Sequence, residues 1–209
     1  MIIFIPIKES SIRVPNKNFR LILEETLWER CINKLTDYKV YIDTDSKRIY
    51  NKCKQYDHVT CYMRHKDLIG HEVSVVNLIK YFIDEYNIKD PICQIHVTSP
   101  FLQVSDINKS FKILEDNKYD SVFSVNRIQK RFWSKEINPI NHNPKVLLPT
   151  QNLEPWFEEN SYLYTFMPKV IKECNNRIGY NSKMIEINYP YNLDIDTEDD
   201  WNLVKNIIK

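Results

Sequence analysis

Val73-Ser74-Val75-Val76-Asn77-Leu78-Ile79-Lys80-Tyr81-Phe82-Ile83-Asp84-Glu85-Tyr86-Asn87, followed beyond Pro91 by Ile92-Cys93-Gln94-Ile95-His96-Val97, is the stretch on which the fold turns. In its first half Val73, Val76, Leu78, Ile79, Phe82 and Ile83 recur at helical spacing and form one broad apolar face, as a helix covering a sheet requires. The second half is a short β-rich run that Pro91 separates from the helix. The same alternation extends in both directions. Upstream, strands are expected at 2–6, 38–43 and 58–63, with helices at 24–35 and 46–56; downstream, a helix at 104–117 precedes a strand at 120–126. Ser46 and Ser105 stand where helix N-caps belong. Alternating strands and amphipathic helices are the mark of βαβ units, which predicts a three-layer α/β fold around a mostly parallel, Rossmann-like sheet.

Past residue 126 the periodicity stops. From Arg131 to about Asn160 the chain is rich in Pro, Asn and Trp without a clear period, and it is longer than most loops within a compact domain. Such a segment is expected to be a lid or an interface. Order returns with a strand at 162–166, a helix near 168–176, a strand near 183–188 and a last helix from Asp199. A chain of 209 residues suits one domain, 1–209, with 131–160 as an excursion within it.

Lysine plus arginine (29) nearly balances aspartate plus glutamate (28), and the charges are dispersed, so a small-molecule substrate is expected and nucleic acid is not. The apolar run Met1-Ile2-Ile3-Phe4-Ile5-Pro6 is too short to span a membrane and lacks the basic lead of a signal peptide, so it reads as a buried first strand. Cys31, Cys53, Cys61, Cys93 and Cys174 are an odd, scattered set without a CxxC pair, which argues against a disulfide framework and a zinc site. A cytoplasmic protein with reduced thiols, and no membrane partner, is the expectation.

Ligands of open parallel sheets bind beyond the carboxyl ends of the strands. The loop after the first strand, Pro6 to Asn18, places Lys8, Arg13 and Lys17 among small polar residues, which suits an oligophosphate; a solvated surface loop is the other reading. At the end of the central strand, Thr98 and Ser99 offer hydroxyls either to a ligand or to the backbone of the turn. In Asn192-Leu193-Asp194-Ile195-Asp196-Thr197, an extended backbone turns Asp194 and Asp196 to one side. Two carboxylates so placed suit Mg²⁺ shared with substrate phosphates, while Thr197 suits a helix N-cap. The two readings are compatible.

In this order the segments resemble the acylneuraminate cytidylyltransferase family, which activates sialic, legionaminic or pseudaminic acids, and the resemblance covers nearly the whole chain. Ser11, Pro15, Lys17 and Asn18 match its N-terminal nucleotide loop, and Asp43-Thr44-Asp45-Ser46 its second strand and turn. Arg64, Leu68 and Ser74 fit the next segment, Thr98-Ser99-Pro100 the end of a Gln-Pro-Thr-Ser-Pro motif, and Asp120 to Val125 an Asp-Ser-Val-x-Ser-Val strand. Gln151 and Glu159-Asn160 resemble its Gln and Glu-Asn-Gly elements, and Asp194-Ile195-Asp196-Thr197 its metal motif.

The resemblance implies transfer of CMP from CTP to the anomeric hydroxyl of a nine-carbon acidic sugar, with Mg²⁺ as cofactor and pyrophosphate as leaving group. Its alternatives are a CMP-Kdo-type synthetase and a catalytically silent relative that binds nucleotide or sugar. It assigns Asp194 and Asp196 to the metal, Lys17 to the departing pyrophosphate, Arg13, Asn18 and Arg64 to nucleotide, and Gln151 and His96 to the sugar. Lys8 takes the place of the phosphate-loop arginine, Ser11, Ser74, Thr98, Ser99 and Asn160 complete the expected binding set, and segment 131–160 is expected to dimerise. Departures are Glu9 and Ser10 where the family has glycines, His96-Val97 for Gln-Pro, His71 for an aspartate and Ser161 for glycine.

Overall fold

The computed structural model describes residues 1–70 and 72–208, so His71 lies outside the described residues. Strand β1 (Ile2–Ile7) leads into the long first loop, a 3₁₀ turn and a two-residue hairpin, β2 (Leu21–Ile22) and β3 (Glu25–Thr26). Helix α1 (Leu27–Ile32) follows, opened by a capping box in which Thr26 and Glu29 satisfy each other's backbone N–H groups. Next come β4 (Lys39–Thr44), α2 (Lys47–Cys53), β5 (Val59–Met63), α3 (Val75–Glu85), β6 (Ile92–Ile95), α4 (Val104–Glu115) and β7 (Ser121–Ile128). After a long excursion the chain closes with β8 (Trp156–Phe166), α5 (Pro168–Cys174), β9 (Ser182–Glu186) and α6 (Glu198–Ile207).

The main sheet has seven strands in the order β5-β4-β1-β6-β8-β7-β9. All neighbours pair in parallel except β8, which runs antiparallel to both β6 and β7. Side chains alternate across the sheet, as strand geometry demands. From β1, Ile3, Ile5 and Ile7 enter the core that Trp28, Ile49, Phe111 and Leu114 cover on one face. Ile2 and Phe4 enter the core that Leu78, Ile79, Phe82, Val170 and Ile171 cover on the other. Phe82 of α3 stacks on Phe4 with ring centroids 4.8 Å apart, and burying such a side chain contributes about 2–3 kcal/mol. The three-layer, mostly parallel α/β arrangement expected from the periodicity is therefore present.

Two local expectations need correction. Ser105 does not cap α4; the cap lies two residues earlier, at Gln103, where the Tyr162 hydroxyl accepts the Gln103 N–H at 2.7 Å. The irregular stretch is also shorter than 131–160, because Trp156 to Asn160 belong to β8 and pair with β7. Their side chains are mostly exposed, so no apolar alternation marks them as strand.

A third, small core positions the site. Val14 of the first loop, Ile22, Leu27, Ile195, Trp201 and Val204 pack together, so α6 and the segment before it are fastened against the loop after β1. Ile195 N–H also donates to the Thr98 carbonyl at 3.0 Å, which joins the segment to the loop after β6.

Candidate active site

At the carboxyl ends of β1, β5 and β6 lies a cavity of about 460 Å³. The first loop supplies Lys8, Ser10, Ser11, Ile12 and Arg13, and the 3₁₀ turn supplies Lys17 and Asn18. Arg64 follows β5, Val73, Val75 and Leu78 come from the start of α3, and His96, Val97 and Thr98 from the end of β6. Among the described residues the lining holds Lys8, Arg13, Lys17 and Arg64 and no carboxylate, although Asp196 stands behind Arg13 and Lys17 and Asp43 behind Arg64; the cations face the cavity and their counter-charges do not, which favours an anion there.

The first loop folds without glycine. Its left-handed residue is Asn16 (φ 56°), next to Lys17, and neither Glu9 nor Ser10 has positive φ. Asparagine tolerates that conformation through its short polar side chain. Asn18 Nδ2 donates to the Lys8 carbonyl at 2.9 Å and so ties the two ends of the loop together. Glu9 is exposed and does not line the cavity, while its N–H donates to Asp45 Oδ1 at 2.6 Å. The carboxylate that the sequence sets against phosphate is thus turned away.

Lys17 is buried, and its Nζ donates to the Ile195 carbonyl at 2.5 Å, with Asp196 Oδ1 3.9 Å away. Burial holds its pKa below the ordinary lysine value, against the opposing pull of Asp194 and Asp196. Arg13 pairs with Asp196 at 2.6 Å. Ile195 points into the small core, so Asp194 and Asp196 on either side of it face away from that core, as the extended reading expects. One carboxylate oxygen of Asp194 is buried and has no hydrogen-bond partner. Asp200 was not singled out from sequence, yet its Oδ2 accepts from the N–H groups of Asp196 and Thr197 at 3.1 and 2.7 Å and fixes their backbone. Thr197 caps α6 as expected.

Arg64 is buried and makes an ion pair with the buried Asp43. Lys8 Nζ reaches only the Gly70 carbonyl, at 3.2 Å, and meets no carboxylate among the described residues. Thr98 lines the cavity, so its ligand reading stands beside its backbone role; Ser99 is a buried turn residue and does not line it. Ser74 does not line it either, because its hydroxyl is used to cap α3.

Asp194 and Asp196 do not line the cavity and reach it only through Arg13 and Lys17, and Gln151 and Asn160 fall outside it. Gln151 is exposed on a 3₁₀ turn of the excursion, whose fold uses its carbonyl to accept from Gln129. Asn160 bonds Asn126 at 2.6 Å across the β7–β8 pair. Sequence reasoning missed Gln94 and Arg177, which stand behind His96: Arg177 Nη1 donates to Gln94 Oε1 at 2.5 Å, and the Gln94 amide meets His96 at 2.8 Å. A polar residue inside the apolar run of β6 was the available signal for Gln94. Nothing local marks Arg177.

The sequence model for the cytidylyltransferase family matches residues 2–200. The chain belongs to that family. This cytidylyltransferase is similar to N-acylneuraminate cytidylyltransferase A of Danio rerio, 26% identical over 200 residues that span 90% of the chain but 46% of the relative. It is also similar to CMP-N,N'-diacetyllegionaminic acid synthase of Legionella pneumophila, 26% identical over 221 residues covering 98% of the chain and 94% of the relative. In fold it resembles a solved CMP:2-keto-3-deoxy-manno-octonic acid synthetase complexed with CTP, with a TM-score of 0.72 and 12% identity over 99% of this chain and 97% of that one. A 4-diphosphocytidyl-2C-methyl-D-erythritol synthase from Anaerococcus prevotii superposes with a TM-score of 0.68 at 12% identity, covering 99% and 95% of the two chains.

Proposed function

We propose that this cytidylyltransferase transfers CMP from CTP to the anomeric hydroxyl of a nine-carbon acidic sugar of the sialic, legionaminic or pseudaminic type. The carrying observation is the cavity lined by Lys8, Arg13, Lys17 and Arg64 without a carboxylate, since both substrates are anions. The names of the sequence relatives support the sugar class.

Phosphoryl-group transfer is mostly positioning and charge stabilisation. Lys8, Arg13, Asn18 and Arg64 hold the nucleotide, with Ser11 and Thr98 as hydroxyl partners. Lys17 balances the charge that builds on the departing pyrophosphate. Asp194 and Asp196 would hold Mg²⁺, a fit supported by the buried, partnerless oxygen of Asp194. When bound, the ion supplies a Lewis acid that polarises a phosphate oxygen and lowers the pKa of the attacking hydroxyl.

The excursion carries the homodimer part of the reading. Trp133, Ile140 and Leu147 expose apolar surface there, Trp156 and Phe157 do so at the adjoining end of β8, and Phe132 stacks on Trp156. We assign the activity to the cytoplasm, where CTP is made available to such enzymes; no described helix is long and apolar enough to cross a membrane.

The test is pyrophosphate release from CTP with Mg²⁺ across nine-carbon acidic sugars and Kdo, with Asp196→Ala as control. Release with one nine-carbon sugar, lost in the variant, is expected. Release with Kdo alone would move the reading to a CMP-Kdo synthetase, and silence throughout would leave a binding relative.

A further inference from the structure

Gln94 lies in the central strand β6 and is completely buried. Its Oε1 accepts from Arg177 Nη1 at 2.5 Å, and its amide nitrogen meets His96 Nε2 at 2.8 Å. These two contacts fix where protons sit. A guanidinium can only donate, so the Gln94 atom facing Arg177 is the carbonyl oxygen. The amide nitrogen therefore faces His96 and donates. A ring nitrogen that accepts carries no proton, so in the neutral imidazole the proton rests on Nδ1.

Arg177 is itself held firmly. Its guanidinium carbon lies 3.5 Å from the centroid of the Tyr164 ring, and Glu159 Oε1 is 3.8 Å from Nη2. The Tyr164 hydroxyl donates to the same Glu159 oxygen at 2.5 Å. The loop bearing Arg177 is anchored by Gly179, whose N–H donates to Ser121 Oγ at 2.8 Å. A side chain at Gly179 would run into the Asp120 carboxylate.

We propose that Arg177, acting through Gln94, is a positioning residue that holds His96 in its Nδ1–H tautomer and thereby presents a hydrogen-bond donor to a ligand oxygen, a carboxylate or hydroxyl of the sugar substrate. With Nε2 committed to Gln94, Nδ1 is the nitrogen left for a ligand, and His96 lines the cavity. The charged groups around the ring agree with a neutral imidazole. Burial, then Arg177 and Lys17, hold the His96 pKa down at about 4, against the weaker pull of Asp196. The assignment of the ligand rests on the function proposed above; the tautomer does not.

The test separates those two parts. In full-length chain labelled with ¹⁵N-histidine, long-range ¹H–¹⁵N correlation at neutral pH should show His96 protonated on Nδ1, the signal being assigned by its loss in His96→Gln. Gln94→Glu retains the Arg177 contact but offers His96 only an acceptor, so the proton should move to Nε2. The same variant should raise KM for the sugar by about tenfold or more while leaving KM for CTP within about twofold, the loss expected for a hydrogen bond to a charged group. Arg177→Met frees the amide and should give mixed tautomers, and Arg177→Lys should restore part of the Nδ1–H form. An Nε2–H tautomer in the unsubstituted chain overturns the proposal, as does an unchanged tautomer in a folded Gln94→Glu. If no sugar is turned over, the function reading fails while the spectra still decide the tautomer.

Discussion

The Lys17 ammonium donates to the carbonyl of Ile195, 2.5 Å away, the residue between Asp194 and Asp196, and so lies within reach of both carboxylate charges. One cation thus joins the first loop to the acidic segment. Because burial lowers its pKa, the charge is held at a cost in folding free energy, which is expected where a charge serves catalysis. Lys17→Met should therefore lose about 10²–10³-fold in kcat for pyrophosphate release and little thermal stability. Activity within threefold of the unsubstituted chain, read beside a thermal melt, would reduce Lys17 to a structural clamp.

Asp194 and Asp196 differ in their surroundings but should respond alike to amide substitution. Asp194 has a buried oxygen without a partner, whereas Asp196 is engaged by Arg13. Both variants should lose activity by about 10²-fold or more and lose the Mg²⁺ dependence of CTP binding in calorimetry. Only Asp196→Asn breaks an ion pair, and its partners are exposed, with 67% of the Arg13 side chain and 41% of the Asp196 side chain accessible. Exposed pairs contribute roughly 0–1 kcal/mol, so urea midpoints should barely move. Mg²⁺-dependent binding that persists in Asp194→Asn would remove that residue from the metal site.

The buried pair of Arg64 and Asp43 carries the opposite expectation. Breaking a buried pair strands the surviving charge, and Asp43→Ala should destabilise by roughly 3–5 kcal/mol in urea unfolding. Adding Arg64→Met should recover much of that loss while leaving the chain inactive. No recovery in the double variant would show that the Asp43 site matters through packing instead of charge.

Most of the fold was legible because it rests on periodicity. The helical face of Leu78, Ile79, Phe82 and Ile83 and the apolar strands β1 and β6 follow local patterns that tertiary structure preserved. The early start of β8 was not legible, since Trp156 to Glu159 are exposed and their strand state comes from pairing with β7. Lys8, Ser11, Arg13, Lys17, Asn18, Arg64, His96 and Thr98 do gather around one cavity. Ser74 and Ser99 were drawn off by backbone needs, and Gln151 by an excursion that carries it away. Arg177 escaped because its role depends on contacts with Gln94 and Glu159, distant in sequence.

The exposed aromatic surface of the excursion predicts self-association. Trp156 and Phe157 lie at the outer end of β8, and Trp133 lies in the excursion that precedes it. Sedimentation at micromolar concentration should give a dimer, and Trp156→Ala with Phe157→Ala should shift it toward monomer, since aromatic anchors carry much of an interface's energy. A monomer in the unsubstituted chain would sink the homodimer reading.

His96 gives the clearest pH signature. Its pKa is held at about 4 in the folded chain against 6.5 as the ordinary value. Between those values the unfolded chain binds a proton that the folded chain does not, so stability rises with pH across this window. Stability is therefore full above about pH 6.5 and is lost as pH falls toward about 4. A difference of this size corresponds to an order of 2–3 kcal/mol, after allowance for the ring's partial exposure. His96→Gln, which cannot titrate, should flatten that part of the urea-midpoint profile between pH 6.5 and 4 while the acid loss from carboxylates remains. An unchanged slope in the variant would mean that His96 is protonated in the folded chain about as readily as in the unfolded one, and that the ring is more open to water than its place in front of Gln94 implies.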